Sequence, residues 1–205
     1  MKWIIFLARN RIPYYVYELS KEDKIVLNNV DDNKILIIIS GITVITKIFR
    51  NEIKLPVAIL EKDNIFISKQ NQGRIYYEIK AISHTYIIII NKVLFKQKKI
   101  HNSPEIIKAH YDTVTKYEEI IMIMNQKSST KRILLMILSI FVKFGYVNKN
   151  KITISFELSE KSLAILTNTS ISTVNKTINN IKSITLNKKI NTAIHTLTIK
   201  KAHLI

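Results

Sequence analysis

Residues 158–183 read LSEKSLAILTNTSISTVNKTINNIKS. Ser159, with Glu160 just inside, has the chemistry of a helix start, and Leu163, Ala164 and Leu166 supply the apolar residues of a short helix. Thr167-Asn168-Thr169 interrupts it, because Asn tolerates the left-handed conformation that a sharp turn needs. Ser170 then caps a second helix over 170–181. That helix places Val174, Ile178 and Ile181 on one face. Ser172, Thr173, Asn175, Lys176, Asn179 and Asn180 lie on the other. Two short helices joined by a three-residue turn, the second greasy behind and polar in front, describe a helix-turn-helix. A helix lying in a major groove about 12 Å wide must offer compact donors and acceptors to base edges. Ser, Thr and Asn do so without the bulk of long charged residues. The bland reading of the same stretch is a helical hairpin with a solvated polar face.

The flanks favour the first reading. KITISFEL at 151–158 alternates Ile152, Ile154, Phe156 and Leu158 with polar residues, as a half-exposed strand does. ITLNKKINTAIHTLTI at 184–199 reads as two strands around a Lys188-Lys189 turn, a basic wing. Strand, helix pair and hairpin in this order predict a winged helix-turn-helix. The candidate contacts to double-stranded DNA are Ser170, Ser172, Thr173, Asn175, Lys176, Asn179, Lys188 and Lys189, with Lys182 as a further phosphate contact.

Upstream, Ser103-Pro104-Glu105 marks a helix start. Ile107, His110, Val114, Tyr117, Ile121 and Met124 step by three and four, a seam suited to a second copy of the chain or to the helix's own domain. Thr130 is expected to cap the next helix and Gly145 to end it. Its residues 133–142, ILLMILSIFV, are expected to be buried on most sides. MKWIIFLARN at the start suits a first strand or helix. From about 12 to 95 the chain reads as short strands: KILIIIS (34–40), ITVITKIF (42–49), LPVAIL (55–60), NIFIS (64–68), RIYYEIKAI (74–82) and TYIIIINKVLF (85–95). Ser40-Gly41 suits a tight hairpin turn, and the whole stretch a small antiparallel barrel or sandwich.

Composition narrows the function. Lys and Arg number 32 against 15 Asp and Glu, a formal net charge of +17 that points to a polyanionic partner. Five of the 32 are Arg, so point-charge contacts from Lys dominate over bidentate clamps. There is no Cys, hence no disulfide, thiolate metal site or cysteine nucleophile. No catalytic Ser/His/Asp arrangement, phosphate-cradling glycine loop or His/carboxylate pair at metal spacing is visible, so neither an enzyme nor a metal site is expected. The longest apolar run, at 133–142, is far short of the ~20 residues of a membrane span. Ile makes up about a fifth of the chain. That is the bias of an A/T-rich genome.

The order of these segments resembles the superfamily of the cyclic-AMP receptor protein and the fumarate-nitrate regulator. Within it, the chain is most similar to the global nitrogen regulators of cyanobacteria and red-algal plastids. The likeness runs from roughly residue 24 to 195, through DKIVLNNVDDNKILIIISGITVITKIF, LPVAILEKDNIF, RIYYEIKAI and KITISFELSEKSLAILTNTSISTVNK. It implies an α+β chain. An N-terminal antiparallel β-roll (a double-stranded β-helix) over 1–102 would sense an effector. A long dimerisation helix and a connecting helix would fill 103–145, and a winged helix-turn-helix 146–205. The resemblance also implies a homodimer, a role in transcription, RNA polymerase as a further partner, and a plastid or, alternatively, a bacterial cytoplasmic location. No transit peptide is seen, and a plastid-encoded chain needs none.

FISKQNQGR at 66–74 lacks the pair of motifs by which relatives grip a cyclic nucleotide. The resemblance instead implies 2-oxoglutarate as effector, matching Arg74 and Glu118 to two of its holders. Thr113 stands where relatives place a third, an Arg, and that substitution points to a degenerate pocket. Ile171 stands where relatives often carry a guanine-reading Arg. An effector-binding or interaction module with a vestigial DNA-binding head is therefore the competing reading.

Overall fold

The computed structural model describes residues 2–27, 33–67, 75–97, 100–148, 151–180, 184–189 and 193–199. Contacts divide the chain into two units, 1–121 and 122–205.

The first unit is built around two antiparallel four-stranded sheets. The strands are β1 (Tyr15–Leu19), β2 (Lys24–Leu27), β3 (Lys34–Ser40), β4 (Ile42–Ile48), β5 (Lys54–Glu61), β6 (Ile65–Ile67), β7 (Tyr76–Ala81) and β8 (Thr85–Asn91). One sheet has the order β1-β8-β3-β6 and the other β2-β7-β4-β5. Leu36, Ile38, Phe66, Ile87 and Ile89 of the first meet Ile45, Ala58, Leu60, Ile79 and Ala81 of the second in one apolar core. The sandwich read from the sequence is thus present.

The runs KILIIIS and TYIIIIN do not alternate, and the structure shows why. Ile35, Ile37, Ile88 and Ile90 face away from the second sheet into another core. That core also holds Trp3 and Leu7 of α1 (Lys2–Arg9), Phe95 of α2 (Lys92–Gln97), and Ile106 and Ala109 of α3 (Pro104–Met124). A strand buried on both faces reads as a continuous apolar run. Each fully buried Ile contributes ~1.5–3 kcal/mol of transfer free energy.

Two expectations change, and one left open is resolved. Ser40-Gly41 is a corner where the chain leaves one sheet for the other, because β3 pairs with β6 and β8 while β4 pairs with β5 and β7. A turn glycine marks a change of direction without naming the partner strand. The run 85–95 is a strand only to Asn91. The Asn91 side chain accepts a 2.9 Å hydrogen bond from the Val93 amide and turns the chain into α2. The open reading of the first ten residues resolves as a helix, amphipathic around Trp3 and Leu7.

In the second unit, α4 (Ser129–Phe144) is capped by Ser128, whose hydroxyl accepts from the Lys131 amide at 3.4 Å, two residues before the expected Thr130. It buries Ile133, Met136, Ile137, Ile140 and Phe141 on one side. Leu135, Leu138 and Val142 remain exposed, so its burial is one-faced and narrower than the apolar run suggests. Gly145 ends α4 with extended backbone, φ −83°, instead of the left-handed turn usual for such a glycine. A side chain there would collide with the Phe141 carbonyl at 2.2 Å and with Ile152 at 2.4 Å. β9 (Gly145–Asn148) and β10 (Lys151–Ser159) follow, then α5 (Glu160–Thr167), α6 (Ile171–Asn180), β11 (Ile184–Lys189) and β12 (Ala193–Ile199). These strands form a sheet of order β11-β12-β10-β9.

Gly41 is tightly constrained. Its φ is +86°, and an added Cβ would lie 2.3 Å from Thr85 Oγ1 and 2.4 Å from the His84 carbonyl. Gly41→Ala is expected to cost about 2–3 kcal/mol. Trp3, the single tryptophan, is buried in this unit. Denaturation followed by its fluorescence reads the loss without interference from residues 122–205.

Candidate nucleic-acid interface

The helix pair of the quoted stretch is assembled by side-chain caps. Ser159 Oγ accepts from the Ser162 amide at 3.1 Å and starts α5. Leu163, Ala164, Leu166 and Thr167 are buried, and Thr167 Oγ1 donates to the Leu163 carbonyl at 2.7 Å. Asn168 closes the helix at φ 48°, ψ 55°, its amide bonded to the carbonyls of Ala164 and Ile165. This is the left-handed residue the sequence predicts. Ser170 Oγ then accepts from the Thr173 amide at 3.1 Å and starts α6.

Burial orients α6. Val174, Thr177 and Ile178 are buried, which leaves Ser172, Lys176 and Asn179 along the centre of the exposed face, with Asn180 beside them. Thr173 and Asn175 flank this stripe and are half-buried. Asn175 Oδ1 is shielded from solvent without a hydrogen-bond partner among the described residues. Ser170 also lies 2.8 Å from the hydroxyls of Ser172 and Thr173, so its oxygen is engaged within the helix start. Ile171 is 46% exposed on the same turn. Ile181 and Lys182 lie outside the described residues.

Lys188 and Lys189 fall within β11, opposite Ile194 and Ala193, and not at a turn. Residues 190–192, between β11 and β12, lie outside the described residues. Lys runs carry no backbone signal of their own, and here the pairing register decides.

Arg132 was not singled out by the sequence reading. Its Nε donates to the Thr167 carbonyl at 3.0 Å and its Nη1 to the Gln126 carbonyl at 2.9 Å. One guanidinium thereby ties the start of α4 to the turn that sets the angle between α5 and α6. The available signal was its isolation, for it is the one Arg in residues 122–205.

The other candidate residues are those matched to an effector pocket. Arg74 lies outside the described residues. Glu118 is exposed on α3. Thr113 is buried, accepts from the Ile65 amide at 3.0 Å and donates to the Ala109 carbonyl at 2.8 Å, stitching α3 to the edge strand β6. Further along α3, Lys116 pairs with Glu61 of β5. Tyr117 packs on the core between the sheets, beside Tyr77. Burial first, and the neighbouring Tyr77 second, push the Tyr117 hydroxyl up to about 12. Phe66 and Tyr77 meet edge to face at 5.1 Å. Among the described residues no group of three or more His, Cys, Asp or Glu could hold a metal ion, and no helix is long and apolar enough to cross a membrane.

No protein-family model matches the chain. It is 24% identical over 166 residues to a protein of Porphyra purpurea described as "Putative HTH-type transcriptional regulator ycf28", covering 79% of this chain and 69% of the relative. Solved structures share the fold at low identity. One is a CooA mutant from Carboxydothermus hydrogenoformans, with a TM-score of 0.68, 18% identity, and coverage of 91% of this chain and 83% of that one. Another is a cyclic nucleotide-binding domain containing protein from Listeria monocytogenes, with a TM-score of 0.69, 14% identity, and coverage of 95% and 97%. A CRP-family regulator from Thermus thermophilus matches with a TM-score of 0.67, 10% identity, and coverage of 89% and 91%. The chain has the fold of the CRP/FNR regulators, as its sequence resemblance implies.

The caps make a local forecast. Ser170→Ala removes the α6 cap and is expected to cost about 1 kcal/mol. Asn168→Gly relieves the left-handed strain and is expected to leave stability equal or slightly raised. Hydrogen exchange of the α5 and α6 amides, faster in the first variant and not in the second, checks both.

Proposed function

We propose that the chain, built on the CRP/FNR fold, is a homodimeric, sequence-specific DNA-binding transcription regulator related to nitrogen control. The observation that carries the reading is α6: its apolar back is buried on α4 and α5, and Ser172, Lys176 and Asn179 stand exposed in a row. Residues 146–205 act as the winged helix-turn-helix. α6 enters the major groove, and Lys176, Lys182, Lys188 and Lys189 neutralise phosphates. In this reading 1–102 is the β-roll and 103–145 joins it to the DNA-binding part. The net charge of +17 suits a polyanion. The red-algal relative, named as an HTH-type transcriptional regulator, supports both the function and a plastid-encoded origin. RNA polymerase is the partner such a regulator would contact once bound.

The dimer rests on α3. Ile106, Ala109 and Thr113 turn inward, leaving Ile107, Tyr111, Val114 and Ile121 exposed at steps of four, three and seven. That stripe replaces the one read from the sequence. His110 and Tyr117 are half-buried on the inward side, and Tyr111 takes the outward place. Two copies related by a two-fold axis would bury it and set two recognition helices about 34–36 Å apart, one helical turn of DNA.

The β-roll pocket is degenerate in this reading. Thr113 is engaged by backbone groups, Tyr117 and Tyr77 pack against the core between the sheets, and Lys116 of α3 pairs with Glu61. A dicarboxylate such as 2-oxoglutarate finds no charged side chain on α3 at Thr113. The second reading, an effector or interaction module with a vestigial head, draws on Ile171, which exposes an aliphatic side chain where a base reader is expected.

Selection of duplexes from a random pool separates the two. The first reading yields one palindromic motif, lost when Thr173 and Lys176 are replaced by Ala, whereas a vestigial head enriches nothing. With three or four phosphates neutralised per subunit, log K falls against log[salt] with a slope of roughly −5 to −7, measurable by fluorescence anisotropy. Val114→Glu places like charges across the two-fold axis, so sedimentation is expected to show monomers and DNA affinity to collapse.

A further inference from the structure

We propose that the first unit carries a binding site for a small, uncharged, hydrocarbon-like molecule on the outer face of the β1-β8-β3-β6 sheet, on the far side of that sheet from the β-roll interior. A cavity of about 360 Å³ lies there. Its walls are Ile35, Ile65, Phe95 and Ile106, all buried, with the half-buried Ile67, Lys92 and His110 at its rim. The inference concerns ligand binding alone and stands whether or not the DNA-binding reading holds.

The location follows from the topology. Odd-numbered residues of β3, Ile35 and Ile37, face this side, and even-numbered ones, Leu36 and Ile38, face the roll interior. α2 and α3 cover the outer side with Phe95, Ile106 and Ala109. The helices cross the sheet without filling the space between Ile35, Ile65 and Phe95.

The lining states the ligand chemistry through what it lacks. Its surface is almost wholly apolar. Lys92 therefore lends the cavity its methylene stem and keeps its ammonium outside, as long basic side chains do at apolar surfaces. Burial holds the His110 imidazole below its ordinary range, so at neutral pH the ring adds no charge to the wall. A water molecule inside would need about two to four polar partners, and the walls do not offer them. A carboxylate or an ammonium group would be stripped of water with nothing to pair with, at high cost. An uncharged apolar molecule gains by entering, because it leaves water for a surface of carbon.

The volume bounds the size. Native interiors keep few voids larger than a water molecule, so a space this large is a property of the fold and not a packing defect. An engineered apolar cavity of about 150 Å³ stays dry and takes up benzene, roughly 25 Å³ per carbon. At that ratio the space holds on the order of ten to fourteen carbons. A single ring with a short alkyl chain fits, and a sterol or a long acyl chain does not.

His110 and Ile106 are one turn apart on α3, and Ile107 and Tyr111 follow them on the exposed stripe. An occupant would thus rest against the same helical turn that carries the outward stripe.

Isothermal titration of the full chain with n-butylbenzene tests the site. Trp3 fluorescence is a second readout, because Trp3 packs in the same apolar cluster. The expected result is saturable binding of one butylbenzene per chain. 4-Phenylbutyrate, in which a carboxylate replaces the terminal methyl, is expected to bind at least about 10-fold more weakly. Lys92→Met keeps a stem without the charge and is expected to hold butylbenzene affinity within about 2-fold. Ile67→Phe fills the space from the rim and is expected to abolish binding. Butylbenzene is expected to raise the melting temperature of the wild type and of Lys92→Met and to leave that of Ile67→Phe unchanged. The comparison with 4-phenylbutyrate needs no variant and tests the apolar lining directly. No binding up to the solubility limit of butylbenzene, unsaturable uptake at several sites, 4-phenylbutyrate binding as tightly as butylbenzene, or binding indifferent to Ile67→Phe overturns the proposal.

Discussion

The pair of central strands β3 and β8 has to be dry on both faces. Their isoleucines leave no polar side to turn to water, so one face requires a second sheet and the other requires helices. This requirement holds the beginning of α3 against the outer face through Ile106 and Ala109, and Thr113 fastens it at the sheet edge. A helix has 3.6 residues per turn, so committing those positions inward commits Ile107, Tyr111, Val114 and Ile121 outward. The stripe available to a partner copy, and the cavity left under the helices, both descend from the same demand.

The second unit solves a different problem with the same means. α6 is ten residues long, too short to be stable by itself in water. Its conformation is held by the Ser170 cap and by Val174 and Ile178 packed beneath it, while Arg132 fixes the turn that aims it. The exposed side is therefore free to carry whatever residues recognition requires. Under the DNA-binding reading this division explains why the stretch has so little charge in a chain of net +17. Affinity comes from Lys elsewhere, and α6 contributes short hydrogen-bonding groups.

Much of this was legible from the residues alone. β3 was read to the residue, and the caps at Ser159, Ser170 and the left-handed Asn168 follow from side-chain chemistry that acts within four positions. What was misread depends on distant partners. Gly41 announces a turn in either topology, and strand pairing alone shows a change of sheet. His110 and Tyr117 fit a heptad as well as Tyr111 does, until the sheet settles which way α3 is rotated. Asn175 reads as a front-face residue on a helical wheel, yet half of it is covered by the surrounding unit. Periodicity gives a helix its stripe, and contacts from outside the helix give the stripe its phase.

That phase also bears on specificity. A bidentate Arg–guanine pair is worth about 1–3 kcal/mol of discrimination, and no Arg occurs between residues 133 and 205. Ser172, Thr173 and Asn179 can donate and accept, but single hydroxyl contacts discriminate less than a fork does. The remaining selectivity of such a protein would come from the energy of deforming the duplex between its two half-sites. Rigidity of the dimer then matters more than the number of base contacts, since only a stiff two-fold spacing converts duplex deformability into preference.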